Sequence, residues 1–312
     1  MIAFLLLIVL GVLGQVAYGW GMHESCQSIE QPLKNAMTVA FQRATEAKAE
    51  IRKIPRDKHV DALVKVVFGS DDAKAADAAQ RLEAIQWLDI FSTSRPTAYN
   101  VILYCSTDRI TDYIGRDPEN KGKKIGYEDP DRNARVKGGA LMDDCRSENH
   151  NGDASTRALT INLGSKKDKD GKDQRERIAD TIQLCPWYLR KLAGPPPSYD
   201  TPDELVKKAA DVKAKNLLAK FNAKLNHETA TPIDSLAGFE HVLLHEMTHS
   251  AIAGYSDDTP AGKCYGWKHS VKCQKSENAD SLAYFALAVE LVLHRGYTVN
   301  KDGTLQKLAD KK

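Results

Sequence analysis

The stretch His245-Glu246-Met247-Thr248-His249 constrains this chain more than any other. Two histidines four residues apart on an α-helix leave the same face about one turn apart, so both imidazoles can bind a single zinc ion. The glutamate between them then lies beside the metal, placed to take a proton from a zinc-bound water. The flanking residues favour a helix. Asp234 or Ser235 supplies an N-cap after Pro232. Leu236, Phe239, Val242, Leu243 and Met247 recur at helical spacing, and Gly254 marks a stop.

A catalytic zinc site takes three protein ligands and leaves one position open. Candidates for the third ligand are Asp257, Asp258, Asp280, His241 and His269. His241 lies four residues before His245, and three ligands in a row along one helix would span about 12 Å, too far for one ion. It is expected to back the site or to pack as a core histidine. The turn Tyr255–Pro260 brings Asp257 and Asp258 within reach of the helix.

Bulk properties narrow the class. A net charge of +2 with 28% charged residues argues against a nucleic-acid binder, which would present a basic face. The apolar run from Met1 to about Val16 is too short for an ordinary transmembrane helix. Ala17-Tyr18-Gly19 fits a small-x-small cleavage site, although no Lys or Arg precedes the run. Residues 1–19 therefore read as a secretory signal peptide, and the mature chain as secreted. Its six cysteines, an even number, suggest three disulfides. Cys264 with Cys273 is the favoured pair, closing a short loop beside the site. No N-x-S/T sequon occurs.

Along the chain, Gln27 to Phe91 reads as helical, and residues 20–95 form an N-terminal helical region and candidate pro-region. Ser92–Pro96 marks a boundary. Val101–Cys105 reads as a buried strand, Asp108–Gly139 as an irregular polar excursion, and Ala158–Leu163 as an alternating strand. Lys166–Arg177 is expected to be a solvated hairpin or loop. Thr181–Leu189 reads as a strand running into a turn. Gly194–Pro197 is a rigid break, and Thr201–Lys224 an amphipathic helix. Asn278–Leu293 is a helix with Leu282, Phe285, Ala286, Val289 and Leu293 on its core face. The tail after Gly296 is polar and expected to fray.

The chain resembles the deuterolysin-type metallopeptidases, or aspzincins. Their pattern is H-E-x-x-H, then G-T-x-D-x-x-Y-G, then a helix opening N-A-D-[ST]-Y. His245–His249 carries the first part, and Asn278-Ala279-Asp280-Ser281-Leu282-Ala283-Tyr284 closely matches the last. Ile182-Gln183-Leu184-Cys185-Pro186 is similar to the strand before the family's active site. In the middle part Ser256-Asp257-Asp258 aligns with T-x-D and Tyr265-Gly266 with Y-G. Six residues separate Asp258 from Tyr265 here, against two in the family. Anchoring on Gly254 instead would select Asp257.

The resemblance implies an α+β, helix-rich, zincin-like catalytic domain over residues 96–312. It implies a zinc endopeptidase with His245, His249 and Asp258 as ligands and Glu246 as general base. Tyr265 would stabilise the oxyanion, and Asp280 would contact substrate. In lysine-directed relatives a second acid follows three positions later. Ala283 stands there in this chain, so strict lysine selectivity is not implied. Zincins also hold extended substrate along an edge strand above the metal. Expected partners are protein or peptide substrates, with no nucleic acid, no stable membrane association and a monomeric state. The altered middle motif supports a second reading, a non-catalytic secreted effector or binding protein on a degenerate metallopeptidase scaffold.

Overall fold

The computed structural model describes residues 19–89, 100–115, 119–132, 134–137, 139–147, 156–162, 166–167, 173–174, 179–193, 202–211, 231–258 and 264–309. The segment up to Tyr18 that reads as a signal peptide, the boundary expected at Ser92–Pro96 and the break expected at Gly194–Pro197 lie outside them.

Leu33, Met37, Ala40, Phe41, Ala44, Ala47 and Ile51 share one face of helix α1 (Glu30–Arg52), and that face is buried along its whole length. Two capped helices follow, α2 (Lys58–Phe68) and α3 (Asp72–Gln86). The Asp57 and Asp71 side chains accept from the backbone N–H of His59 and Ala73 and satisfy the first turns. Strand β1 (Trp20–Met22) runs parallel to β2 (Val101–Tyr104). The pairing joins chain on both sides of residues 90–99 in one sheet. The Cys26–Cys105 disulfide ties the same two segments.

The excursion expected over Asp108–Gly139 contains a three-stranded antiparallel sheet instead: β3 (Thr111–Ile114), β4 (Lys124–Asp129) and β5 (Ala134–Lys137). Its strands hide from an apolar-alternation test because charge pairs do part of the cross-strand work. Glu128 faces Arg135 in register and accepts from its Nε at 3.1 Å. After α4 (Ala140–Arg146) comes β6 (Ala158–Ile161), followed by a two-stranded hairpin of β7 (Lys166–Lys167) and β8 (Asp173–Gln174). Strand β9 (Asp180–Leu184) lies between β2, which it parallels, and β6, which it opposes. The sheet order is β1-β2-β9-β6, so β6 is an edge. Pro186 then opens helix α5 (Pro186–Ala193) where a turn was expected; proline suits a first helical position because it has no N–H to leave unpaired. Of the amphipathic helix over Thr201–Lys224, the described part is α6 (Pro202–Ala210).

Helix α7 (Phe239–Thr248) carries the two histidines. It starts later than the sequence suggests. Ile233–Leu236 forms a separate 3-10 turn, and Gly238 takes the N-cap position. Asp234 is diverted to the backbone N–H groups of Thr231 and Trp267, the latter at 2.9 Å. Short α8 (Trp267–Cys273) precedes α9 (Ala279–Glu290), where the Asn278 side chain accepts from Ser281 N. All residues of α9 up to Val289 are buried, whereas Leu293, assigned to its core stripe, lies in the following π-helical turn and is 39% exposed. The tail does not fray throughout. β10 (Tyr297–Val299) pairs with β11 (Leu305–Lys307), and Val299 and Leu305 are buried.

The first helices belong to the same apolar core as the metal helix; Met37, Leu63, Leu82, Met247 and Phe285 are members of one cluster. Arg43 of α1 is buried and ion-paired to Glu290 of α9 and, at 3.4 Å, to Glu240 of α7. Removing a partner from such a pair strands the remaining charge. Arg43→Met is expected to lower unfolding free energy by roughly 2–4 kcal/mol, read as a lower urea midpoint at unchanged slope.

Candidate metal centre

Helix α7 ends one residue before His249, and its end is well satisfied. The last four carbonyls of a helix have no intrahelical partner. Here Thr248 Oγ1 donates to His245 O, His249 N to Glu246 O, Ser250 Oγ to Met247 O, and Ser256 N to Thr248 O. Two hydroxyls and two amides therefore allow a buried helix to stop beside its functional residues.

The chain then turns back through Gly254 and Tyr255, both at positive φ. Glycine tolerates that geometry; tyrosine adopts it at some cost. Arg81 of α3 steadies the turn, with Nη1 donating to Gly254 O at 3.0 Å and lying 3.3 Å from Ser256 Oγ. Asp257 forms a parallel bridge to Asn278 at the head of α9: Asp257 N donates to Glu277 O, and Ala279 N to Asp257 O. This bridge ties down Asp257 and delivers its neighbour, Asp258, to the histidines.

His245, His249 and Asp258 form a group able to bind a metal ion. The two Nε2 atoms are 3.2 Å apart. One Asp258 oxygen is 3.5 Å from His245 Nε2, and the other is 3.3 Å from His249 Nε2. A tetrahedral ion with bonds of about 2.0–2.1 Å separates its ligand atoms by about 3.3–3.4 Å, which is close to the spacing of the two Nε2 atoms and to the distance from each of them to its nearer Asp258 oxygen. Asp258 Oδ1 is buried without a hydrogen-bond partner, as a carboxylate oxygen aimed at a cation would be.

Each histidine is oriented from behind. His245 Nδ1 donates to Asp280 Oδ1, and His249 Nδ1 to the Ser256 carbonyl, both at 2.6 Å. Carboxylate and carbonyl oxygens only accept, so the proton sits on Nδ1 and the Nε2 lone pairs converge. Burial opposes charge on His245, but Asp280 and Asp258 outweigh it and hold its pKa well above the ordinary value. Burial likewise works to raise Asp258, but the two histidines facing it keep it far below the usual carboxylate range. The field that favours a proton here also favours a cation, so the two compete.

Glu246 is buried beside the ligands, and its Oε2 lies 2.7 Å from Thr160 Oγ1 on edge strand β6. Tyr265 stacks on His245, with centroids 5.8 Å apart, and its hydroxyl donates to Asp258 Oδ2. Burial, then the Asp258 charge, pushes its pKa well up, so it stays a donor. The Cys264–Cys273 disulfide holds this segment, as the spacing suggested, while residues 259–263 of the longer middle motif lie outside the described set. Cys145–Cys185 completes the three disulfides, a set that fits an oxidising, extracellular environment. No described helix is long and apolar enough to cross a membrane.

Of the other candidates, Asp257 is not part of the metal-sized group, and His269 turns its Nδ1 to the Tyr265 carbonyl. Asp280 lies behind His245, not in an open pocket. Its second oxygen accepts from Gly266 N at 2.5 Å, so both oxygens are engaged inside the protein. That arrangement suits steadying a histidine, and it differs from the substrate contact implied by the resemblance. His241 is a buried core histidine against Tyr284, 4.0 Å from Asp280. Sequence reasoning missed Thr160, Arg81 and the Ser256 carbonyl. None has a local signal, because each reaches the site from another element or through its backbone.

No protein-family model matches this chain, and no curated protein or solved structure does either.

Two outcomes are expected. Titration with Zn²⁺ or Co²⁺ should give one ion per chain; Asp258→Ala should lose it and Asp257→Ala keep it, while Asp280→Asn weakens affinity about 10–100-fold. His241 gives a pH test. Burial, opposed by the Asp280 charge, lowers its pKa to about 3, against an ordinary 6.5. Between those values the unfolded chain binds the extra proton, so stability falls as pH drops through that window. His241→Phe should flatten this part of the acid slope in thermal melts from pH 7 to 4.

Proposed function

We propose that this chain is a secreted zinc-dependent endopeptidase. The observation that carries the proposal is a metal-sized His245–His249–Asp258 group with an acid, Glu246, buried beside it and a tyrosine, Tyr265, over it. Two imidazoles and one carboxylate, with a position left open, form a donor set suited to catalytic zinc. The resemblance to deuterolysin-type peptidases rests on the same residues and on the Asn278–Tyr284 helix head. The longer spacing between Asp258 and Tyr265 does not keep the two apart.

Zinc bound by these ligands would supply a Lewis acid that acidifies water and polarises a peptide carbonyl. Glu246 takes the proton released as water attacks and hands it to the departing amine. Tyr265 turns its hydroxyl from Asp258 to the oxygen where negative charge builds. Asp280 and the Ser256 carbonyl hold the two imidazoles in one tautomer throughout. Edge strand β6 lies against α7 and offers unpaired backbone groups to an extended peptide.

Casein hydrolysis by protein made in an oxidising host should be lost with a chelator and restored by zinc. Glu246→Gln should reduce turnover by at least about 10³-fold while the metal stays bound. Near-normal hydrolysis by that variant would refute the mechanism.

A further inference from the structure

The edge strand does more than border the site. Thr160 is the third residue of β6, in register with Ile182 of β9, and half-buried. Its hydroxyl lies between two acceptors of one residue, 2.7 Å from Glu246 Oε2 and 2.9 Å from Glu246 O. A hydroxyl has one hydrogen. Of the two acceptors the carboxylate oxygen is the nearer, so it receives that hydrogen. The backbone carbonyl is then a second acceptor to which the same hydroxyl can turn.

We infer that Thr160 is a positioning residue for Glu246, a role that rests on the peptidase reading above. By engaging Oε2 it fixes the carboxylate rotamer and leaves Oε1 as the basic oxygen facing the reacting water. With the Glu246 carbonyl 2.9 Å away as a second acceptor, the hydroxyl keeps a partner if the carboxylate moves. A residue that orients the base in this way acts on turnover, not on substrate affinity. It also links peptide binding to chemistry, since the strand that offers backbone bonds to substrate is the strand that holds the base.

The test compares Thr160→Val, which keeps the shape and removes the hydroxyl, with Thr160→Ser, which keeps the hydroxyl. Zinc content and melting temperature of each are measured first, followed by peptide cleavage. Thr160→Val is expected to bind one zinc and lower kcat by about tenfold or more, with KM within twofold. Thr160→Ser should return to within about threefold of the parent. In a Glu246→Gln background the valine change should have no further effect. Unchanged kcat in folded, zinc-loaded Thr160→Val would overturn the role of Thr160 alone, as would a serine variant no better than valine. A parent protein that binds zinc and cleaves nothing would overturn both this role and the peptidase reading.

Discussion

A buried hydrogen bond organises this molecule: His245 Nδ1 to Asp280 Oδ1, between the middle of α7 and the first turn of α9. An aspartate buried among apolar helices is tolerable only if its oxygens are paired. Asp280 meets that demand with His245 on one side and the Gly266 amide on the other. It is also placed in the first helical turn, where the helix dipole favours negative charge. The pair sets the register of the two central helices and, with it, the direction of the Nε2 lone pair. The Arg43–Glu290 and Arg43–Glu240 contacts repeat the device further along the same helices and bring α1 into it. The core thus holds charges that specify one packing among several an apolar interface would accept.

The site is assembled from elements far apart in sequence. α7 gives two histidines and the acid. A turn steadied by Arg81 of α3 gives the carbonyl behind His249, and a bridge to α9 presents Asp258. The N-terminal helices are thus mechanically part of the centre. Cleavage that released residues 20–95 would take with it strand β1, three core helices and the arginine under the metal-side turn.

Much of this was legible in the sequence. Periodicity revealed α1, α2, α3 and α9, and short apolar runs revealed β2, β6 and β9. The histidine spacing, with carboxylates in the following turn, reduced the ligand set to a few residues. Periodicity failed where charge and aromatic pairs replace apolar alternation, as in β3–β5, where Tyr127 is buried under Lys124. It also misplaced the start of α7, because Asp234 has the chemistry of a cap but is spent on Thr231 and Trp267. The T-x-D alignment pointed to Asp258 and an anchor on Gly254 to Asp257; what separates them in space is the bridge to Asn278, a contact across twenty residues that no local pattern encodes. Thr160 was invisible for the same reason.

The end of the chain shows how far the support extends. Gly303, at positive φ, brings the β10–β11 turn so close to Thr231 and Trp267 that no Cβ would fit there. The turn's carbonyls at Asn300 and Lys301 accept from the indole of Trp267. Trp267 follows Gly266, whose amide holds Asp280. The last hairpin is therefore a strut: it wedges the tryptophan, the tryptophan sets the glycine, and the glycine fixes the carboxylate behind the first histidine. Residues that look like a polar appendix in the sequence thus brace the candidate metal centre from its far side.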